Sequence, residues 1–283
     1  MGGGRSGLGP FLRHAIFVFV GIASLVLACS TVEYTGRTRI ILISEEQELE
    51  LGRQAYQQVL AEGKLSRNAR QIEVVQRVGQ RIAAVADRPQ FEWEFVVIDD
   101  RKTVNAFCLP GGKVAFYTGI LPVCKHETGL AVVMGHEVAH AVARHGAERI
   151  SQALVLELGA DILAGVIAGK DPEHQKEVAS LLGVGFGIAF ALPFSRKHES
   201  EADHIGLMLM AKAGYDPREA PRFWDRMEKL GGKEPPQFLS THPSHEKRKE
   251  DLEALIPDAI PLYEAATGIK TGETRQVIRG GVP

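Results

Sequence analysis

The chain has 283 residues, of which 45% are hydrophobic and 24% are charged, so it can bury a sizeable core as an ordinary globular protein of one or two domains. These proportions exclude a disordered or fibrous protein. With a formal net charge of -2 and no Lys/Arg-rich run, the chain has no overall positive field that would attract phosphate backbones, which argues against a nucleic-acid partner.

The first 28 residues have the pattern of an export signal. Arg5 and Arg13 precede an uncharged apolar stretch at residues 15–28, which at about 14 residues is shorter than the ~20 that a membrane-spanning helix needs. The stretch ends in Val-Leu-Ala before Cys29, which resembles a bacterial lipobox, where a signal peptidase cuts before a cysteine that becomes lipidated. We therefore predict a signal peptide at residues 1–28, a lipidated tether at residues 29–43 and a periplasmic protein anchored in the outer membrane at Cys29. Simple secretion and an uncleaved anchor are the alternatives.

Two helices and a small sheet are predicted next. Ser44 can cap a helix with an acidic first turn, and apolar residues at helical spacing mark a second helix at residues 72–85, which ends before Pro89. Residues 91–98 alternate and are rich in β-formers, and two further β-rich stretches flank Pro110-Gly111-Gly112. This pattern predicts a small sheet that ends in a hairpin.

The rest of the chain has a helical pattern. From His126 onward the helices are interrupted by loops with Pro or Gly, and the stretch after Pro261 has the character of a tail. Two apolar segments, at residues 153–169 and 178–194, are too short to span a membrane and are interpreted as buried or lid-forming helices, with shallow membrane contact as the alternative. The sequence therefore predicts an α+β, mostly helical fold, with a main domain at residues 44–260 and a C-terminal tail at residues 261–283.

The strongest chemical signal is the sequence His136-Glu137-Val138-Ala139-His140. Residues four apart lie on one face of a helix, so His136 and His140 can direct both imidazoles at one ion while Glu137 flanks it. A catalytic zinc site typically has three protein ligands and an open position for water, so a third ligand is needed from elsewhere. The metzincin continuation is excluded, because it would need Gly at position 143 and His at position 146, where the chain has Ala143 and Gly146.

A carboxylate on a later helix can supply the third ligand. On such a helix Glu199, Asp203 and Gly206 share one face, whereas Glu201 points roughly the other way. The geometry favours the Glu199/Asp203 pair over Glu201 alone, because one carboxylate can bind the metal while the other orients a ligand histidine. Gly206 would permit a close approach of two helices. His145 lies off the ligand face of the first helix and is interpreted as a surface histidine.

Three motifs taken together resemble a known family. The motifs follow one another in the order and spacing of the HtpX and Oma type gluzincin metallopeptidases, a family that also contains the CAAX prenyl proteases. The resemblance covers roughly residues 45–255 and is nearest to the soluble periplasmic members of the LoiP and BepA kind. The motifs are Asn105-Ala106-Phe107 with Pro110-Gly111-Gly112, His136-Glu137-Val138-Ala139-His140, and Ser195-Arg196 with Glu199-Ser200-Glu201-Ala202-Asp203.

The resemblance implies a gluzincin, zincin-like metalloprotease domain with a small sheet and hairpin beside the active-site helix. It implies that His136, His140 and Glu199 bind one Zn²⁺ per chain, that Glu137 is the catalytic base and that Asp203 is an accessory acid. The expected enzyme is a zinc metalloendopeptidase that hydrolyses peptide bonds of unfolded or misfolded envelope polypeptides through a zinc-activated water. The alternative is an assembly factor or chaperone for outer-membrane proteins with a mostly closed zinc site.

His242 lies in a His-Pro element that the resemblance places near the metal. Three roles stay open for it: a catalytic group that stabilises the developing oxyanion, a fourth ligand that closes the site at rest, or a loop cap before the next helix. Arg248, one helical turn after Ser244, is interpreted as a surface arginine, with support of the same corner of the site as the alternative.

Two further interpretations concern the hairpin region. The strand from Val114 to Thr118 is either a sheet edge that an extended peptide could join or a purely structural part of the hairpin. Cys108 and Cys124 are either two small buried hydrophobic residues or, in an oxidising compartment, a disulfide pair.

Overall fold

The computed structural model describes residues 29–158, 193–230, 236–243 and 247–271. The predicted signal peptide, most of the two apolar segments and the last part of the predicted tail lie outside these residues. Within the described residues, no helix is both long enough and apolar enough to cross a membrane.

The described elements are numbered in chain order. The strands are β1 (Cys29–Thr31), β2 (Thr38–Ile40), β3 (Glu94–Ile98), β4 (Ala106–Leu109) and β5 (Lys113–Tyr117). The helices are α1 (Glu45–Glu62), α2 (Ala69–Ala83), α3 (Leu121–Cys124), α4 (Glu127–Val142), α5 (His145–Leu158), α6 (Arg196–Lys212), α7 (Glu219–Leu230), α8 (Gln237–Thr241) and α9 (Arg248–Thr267). This composition confirms the predicted α+β, mostly helical fold with small sheets.

The chain divides into two compact units. The described part of the first unit is residues 29–44 with residues 147–158. Here β1 pairs antiparallel with β2, and Arg37 donates two hydrogen bonds to the carboxylate of Glu148, at 2.9 and 2.7 Å. Residues 29–40 of the predicted tether therefore form a hairpin that is held to α5 by a bidentate ion pair.

The second unit contains a three-stranded sheet in the order β3-β5-β4. β4 and β5 form the predicted hairpin, and its turn is closed by a hydrogen bond from the Gly112 amide to the Leu109 carbonyl at 3.2 Å. Gly111 in this turn has a φ of +84°, a conformation in which a residue with a Cβ is strained. The sheet and hairpin are confirmed.

Of the two interpretations of the strand from Val114 to Thr118, the sheet edge is wrong. β5 is the central strand, because β3 adds to its other side in parallel register, with Val96 opposite Ala115. That parallel partner lies outside the hairpin, and no pattern within the hairpin predicts the parallel pairing. The edge strand beside β5 on the hairpin side is β4.

Helix α4 lies at the centre of the second unit, and every residue from Gly129 to Val142 is buried. It has no polar face because α2, α6, α7 and β4 all pack on it. Its closest approach is to α6, where a Cβ on Gly206 would lie 2.8 Å from the backbone carbonyl carbon of Gly135. The prediction that Gly206 permits a close helix approach is thus met by the structure, and this crossing places α6 beside His136.

The C-terminal helix differs from the expected tail. The boundary predicted between residues 260 and 261 falls inside α9, which continues through Pro257 and Pro261 to Thr267. The helix ends at Gly268, whose φ is +74° and whose amide donates to the Glu264 carbonyl at 2.8 Å. The stop signal is therefore this glycine, because both prolines are accommodated within the helix.

Candidate metal and active site

Helix α4, which carries His136 and His140, begins with a capped first turn. His126 is the N-cap, and its ring Nδ1 accepts from the Gly129 amide at 3.2 Å. Glu127 in the first turn pairs with Arg77 at 3.0 Å, a favourable position for a carboxylate at a helix N-terminus. His136 and His140 follow further along the helix, four residues apart and facing the same side.

Four side chains from three parts of the second unit direct potential ligand atoms at one point. The ligand atoms lie within 4.8 Å of one another and all four residues are buried. The Nε2 atoms of His136 and His140 face each other at 3.2 Å. The same His136 atom lies 3.2 Å from His242 Nδ1 and 3.4 Å from Glu199 Oε2. The four residues are His136, His140, Glu199 and His242.

These distances fit a bound cation. Four donors placed tetrahedrally about 2.0–2.2 Å from one ion are about 3.3–3.6 Å apart, close to the observed separations. Two imidazole nitrogens that point at each other need either a shared proton or a cation between them, and imidazole nitrogens with a carboxylate are donors that zinc accepts. Glu199 Oε2 is fully buried and accepts no well-aligned hydrogen bond, although His136 Nε2 lies 3.4 Å and an Arg248 nitrogen 3.2 Å from it, and this leaves the oxygen available to a metal.

The buried charges lead to the same conclusion. Glu137, Glu199 and Asp203 carry carboxylates beside the single guanidinium of Arg248, and all four residues are less than 10% exposed. When all three carboxylates are ionised and the imidazoles are neutral, their formal balance is two negative charges in a buried site. A divalent cation would offset that balance, whereas an empty site would leave buried charge uncompensated.

Asp203 and Arg248 support the donor group from behind. Asp203 Oδ1 accepts from His136 Nδ1 at 2.9 Å, which leaves the Nε2 lone pair of His136 directed at the cluster. Arg248 donates to the same Asp203 oxygen at 2.7 Å and lies 3.2 Å from Glu199 Oε2. Its guanidinium sits 3.3 Å from the ring centroid of Trp224.

The interpretation of Arg248 as a surface residue is wrong. Its side chain is 0% exposed, between the two carboxylates and the Trp224 ring. It is the first residue of α9, and only the packing of α9 on α6 turns it inward. Sequence spacing within α9 does not contain that information.

His145 and Glu201 form a second supporting pair that the sequence analysis missed. His145 Nδ1 lies 2.9 Å from His140 Nδ1, and His145 Nε2 lies 2.9 Å from Glu201 Oε2. His145 is completely buried, so its interpretation as a surface histidine is wrong. Helix α4 ends at Val142, and Arg144 has a φ of +53°, so the chain changes direction before His145 and the 100° step of α4 does not extend to it.

The acid–base state of the site follows from its burial. Burial raises the pKa of Glu137 to about 7, although electrostatic interactions with His242 and Arg248 act against it. Burial lowers the pKa of His140 well below its usual value, so that ring is neutral. Burial alone would raise the pKa of Glu199, but His242 and hydrogen bonds from the imidazoles outweigh it and hold that pKa well below its usual range.

The structure brings together all six predicted site residues. His136, His140, Glu199 and His242 form the donor group, Asp203 contacts His136, and Glu137 Oε1 lies 3.5 Å from His242 Nε2. Glu201, the alternative ligand, is not in the donor group and instead contacts His145. The ring of His242 lies among the donors, which does not fit a role as a loop cap.

Cys108 and Cys124 take no part in the cluster. Cys108 on β4 and Cys124 on α3 are both buried free thiols. Burial raises the pKa of Cys124 to about 12 and raises that of Cys108 as well, so neither is poised to react. The interpretation of both as small buried hydrophobic residues agrees with this state, and the alternative of a disulfide does not.

This chain is similar in sequence to known proteins. Residues 69–256 match the model of Peptidase family M48. The chain is 41% identical over 233 residues to the mitochondrial metalloendopeptidase OMA1 of Schizosaccharomyces pombe, an alignment that covers 81% of this chain and 66% of the relative. It is 40% identical over 192 residues to the Arabidopsis thaliana protein of the same name, covering 67% and 37%. It is 27% identical over 229 residues to the beta-barrel assembly-enhancing protease of Escherichia coli, covering 78% and 46%.

The relatives correct one prediction and limit what can be carried over. The predicted location, periplasmic with an outer-membrane anchor at Cys29, is contradicted, because the relatives that are 40% identical or more are named as mitochondrial proteins. The chain spans 66% and 37% of the length of those two proteins. The predicted Oma-type family and the enzyme class, a metalloendopeptidase, are confirmed by the family match and by the names of these relatives. The chain belongs to Peptidase family M48.

Proposed function

We propose that this chain is a zinc-dependent endopeptidase that removes unfolded or misfolded polypeptides. The observation that carries the proposal is the buried group of three imidazole nitrogens and one carboxylate, with the carboxyl group of Glu137 beside it. The proposal does not limit the substrates to envelope proteins, because the predicted periplasmic location is contradicted.

Each residue of the site has a task in this function. His136, His140 and Glu199 would hold zinc, and zinc, when bound, supplies Lewis-acid activation of water and of the scissile carbonyl. Glu137, with a pKa of about 7, can accept a proton from water and pass it to the leaving amine at neutral pH. Asp203 keeps the proton of His136 on Nδ1, so that Nε2 stays available to the metal.

His242 has two remaining roles, and its ring is placed for both. Its Nδ1 is 3.1 Å from Glu199 Oε1, inside the donor group, which suits a fourth ligand. Its Nε2 faces Glu137 Oε1 at 3.5 Å. As a group that is not a ligand, the same ring could donate a hydrogen bond to the developing oxyanion.

An extended substrate can pair with β4 in place of the central strand proposed from sequence. The Tyr117 amide donates to the Asn105 carbonyl at 3.1 Å, so alternation along the antiparallel pair turns the backbone groups of Ala106 and Cys108 away from β5. The Ala106 amide already donates to Asn105 Oδ1 at 3.0 Å, which leaves the Ala106 carbonyl and the backbone groups of Cys108 for a substrate. β4 also packs against α4, which carries Glu137. Main-chain pairing along this edge would bind polypeptides with little regard to sequence, as a role in removing misfolded chains requires.

A second candidate function, an assembly factor or chaperone that seldom cleaves, rests on one observation. Three imidazoles and a carboxylate can fill all four positions of a tetrahedral ion and leave none for water. The Escherichia coli relative carries the name of a protease that enhances β-barrel assembly. In this reading zinc is bound, but His242 keeps the site closed most of the time.

Cleavage of an unfolded protein by matched variants separates the two functions. We expect zinc-loaded wild type to cleave casein and Glu137→Gln to bind zinc with cleavage reduced by at least about 100-fold. Glu46→Gln, which removes an exposed carboxylate on α1, serves as the control and should cleave like wild type. Zinc binding with equal cleavage by wild type and Glu137→Gln would overturn the endopeptidase proposal. Cleavage of casein by a His242→Ala variant, with no cleavage by wild type, would favour the closed-site function.

A further inference from the structure

His140 has an unusual partner behind it. The other ligand histidine of α4, His136, donates its Nδ1 proton directly to a carboxylate, that of Asp203. His140 Nδ1 instead faces a second imidazole nitrogen, His145 Nδ1, at 2.9 Å. His145 in turn contacts a carboxylate, because its Nε2 lies 2.9 Å from Glu201 Oε2. The contacts therefore run from His140 through His145 to Glu201.

Counting protons along this chain leaves one arrangement that permits metal binding. His140 can offer the Nε2 lone pair to a cation only if its proton is on Nδ1. That proton then needs an acceptor, so His145 Nδ1 must be unprotonated. A neutral His145 in that state carries its proton on Nε2, where Glu201 accepts it.

The opposite arrangement would disable the site. If His145 carried its proton on Nδ1, His140 Nδ1 would have to accept it, and the His140 proton would move to Nε2. That N–H would then point at His136 Nε2, 3.2 Å away, in the position where a cation belongs. The acceptor at Glu201 is therefore what selects the productive arrangement two rings away.

The ring of His145 is held firmly enough for this role. It is fully buried and stacks on the ring of His198, with centroids 4.5 Å apart and planes 21° from parallel. Phe194 covers the ring of His140 on one side, with centroids 4.1 Å apart. Neither ring can turn to exchange its nitrogens without displacing these neighbours.

We propose that His145 and Glu201 are positioning residues that fix the tautomer of His140 and thereby set the affinity of the site for zinc. The proposal rests on the proposed function, because it takes the donor group to be a zinc site. It differs from a purely structural role in that the identity of the atom at the His145 Nδ1 position decides the outcome, whereas the volume of the side chain does not.

Zinc affinity, measured by competition with a chromophoric chelator, tests the proposal on the full chain. His145→Phe removes the acceptor, and we expect zinc affinity to fall by about 10- to 100-fold. His145→Asn places a carbonyl oxygen close to the Nδ1 position, so it should bind zinc several-fold more tightly than His145→Phe. His204→Phe is the control. It makes the same exchange at a histidine of α6 that lies outside the donor group, and it should leave zinc affinity unchanged.

A second pair of variants tests the far end of the chain of contacts without altering His145. Glu201→Leu should weaken zinc binding, whereas Glu201→Gln, whose amide oxygen can still accept the Nε2 proton, should stay near wild type. Thermal unfolding of the zinc-free variants reports any loss of structure separately.

The outcomes distinguish this proposal from the function on which it rests. Equal affinities of His145→Phe and His145→Asn, or wild-type affinity in Glu201→Leu, would overturn the positioning role. Failure of wild type itself to bind zinc would instead overturn the proposed function.

Discussion

Substitution of Gly206 by alanine perturbs the helix crossing on which the donor group depends. The added Cβ would lie 2.8 Å from both the Gly135 carbonyl carbon and the His136 amide nitrogen, where ordinary contacts begin at 3.4 Å. Helices α4 and α6 must therefore separate by roughly half an ångström or more, and such overpacking costs about 1–3 kcal/mol. The higher helix propensity of alanine offsets up to about 1 kcal/mol of this cost.

The same separation also acts on the metal site. Gly135 directly precedes His136, and Glu199 lies two helical turns before Gly206 on the same face of α6. A shift of about half an ångström exceeds the ~0.2 Å tolerance of metal–ligand distances. We expect a zinc affinity at least about 10-fold lower and a melting temperature of the zinc-free chain lower by about 2–8 °C.

Two measurements check this prediction, differential scanning calorimetry of the zinc-free protein and chelator competition for zinc. Lys197→Ala, at an exposed position in the first turn of the same helix, is the control and should behave as wild type in both. A Gly206→Ala protein with wild-type zinc affinity would refute the reasoning that the close crossing sets the position of Glu199.

Three further predictions concern the charged groups around the site. Arg248→Met removes the buried counter-charge of Glu199 and Asp203 and should destabilise the zinc-free chain by about 3–5 kcal/mol in urea unfolding, so unchanged stability would contradict its role. Asp203→Asn should lower zinc affinity by about 10- to 100-fold in chelator competition, and an unaltered affinity would count against its support of a ligand histidine. The hydrogen bond from Arg77 holds the pKa of Glu127 below its usual value, so the stability that Glu127 contributes is present at neutral pH and lost as the pH falls through that lowered pKa. The free energy of unfolding of zinc-free Glu127→Gln should therefore be lower than that of zinc-free wild type by less than about 1 kcal/mol at pH 7. A difference in this free energy that persists in strong acid would disprove the prediction.

The parts of the site that could be predicted from sequence obey rules of helix spacing. His136 and His140 share a face because they are four residues apart, and the same rule groups Glu199 with Asp203 and Gly206. The structure places Glu199 among the donors and Asp203 behind His136, as spacing and resemblance together led us to expect. These rules operate within one helix and need no knowledge of the fold.

The parts that were missed depend on where elements end and on what packs against them. His145 turns back toward His140 only because α4 stops and Arg144 adopts a positive φ. Arg248 is buried because α9 packs on α6, and β5 becomes central because β3 joins it in parallel. The position of His145 depends on a local turn, whereas contacts with other segments of the chain decide the positions of Arg248 and β5, and a pattern within one helix or strand does not encode them.

X-ray absorption spectroscopy at the zinc edge of the purified, zinc-loaded chain tests the central claim most directly. The donor group of His136, His140, Glu199 and His242 predicts one zinc per chain, nitrogen and oxygen neighbours at about 2.0–2.2 Å and the outer-shell signal of imidazole rings. A sulfur neighbour at about 2.3 Å, or a zinc content far below one per chain, would contradict it.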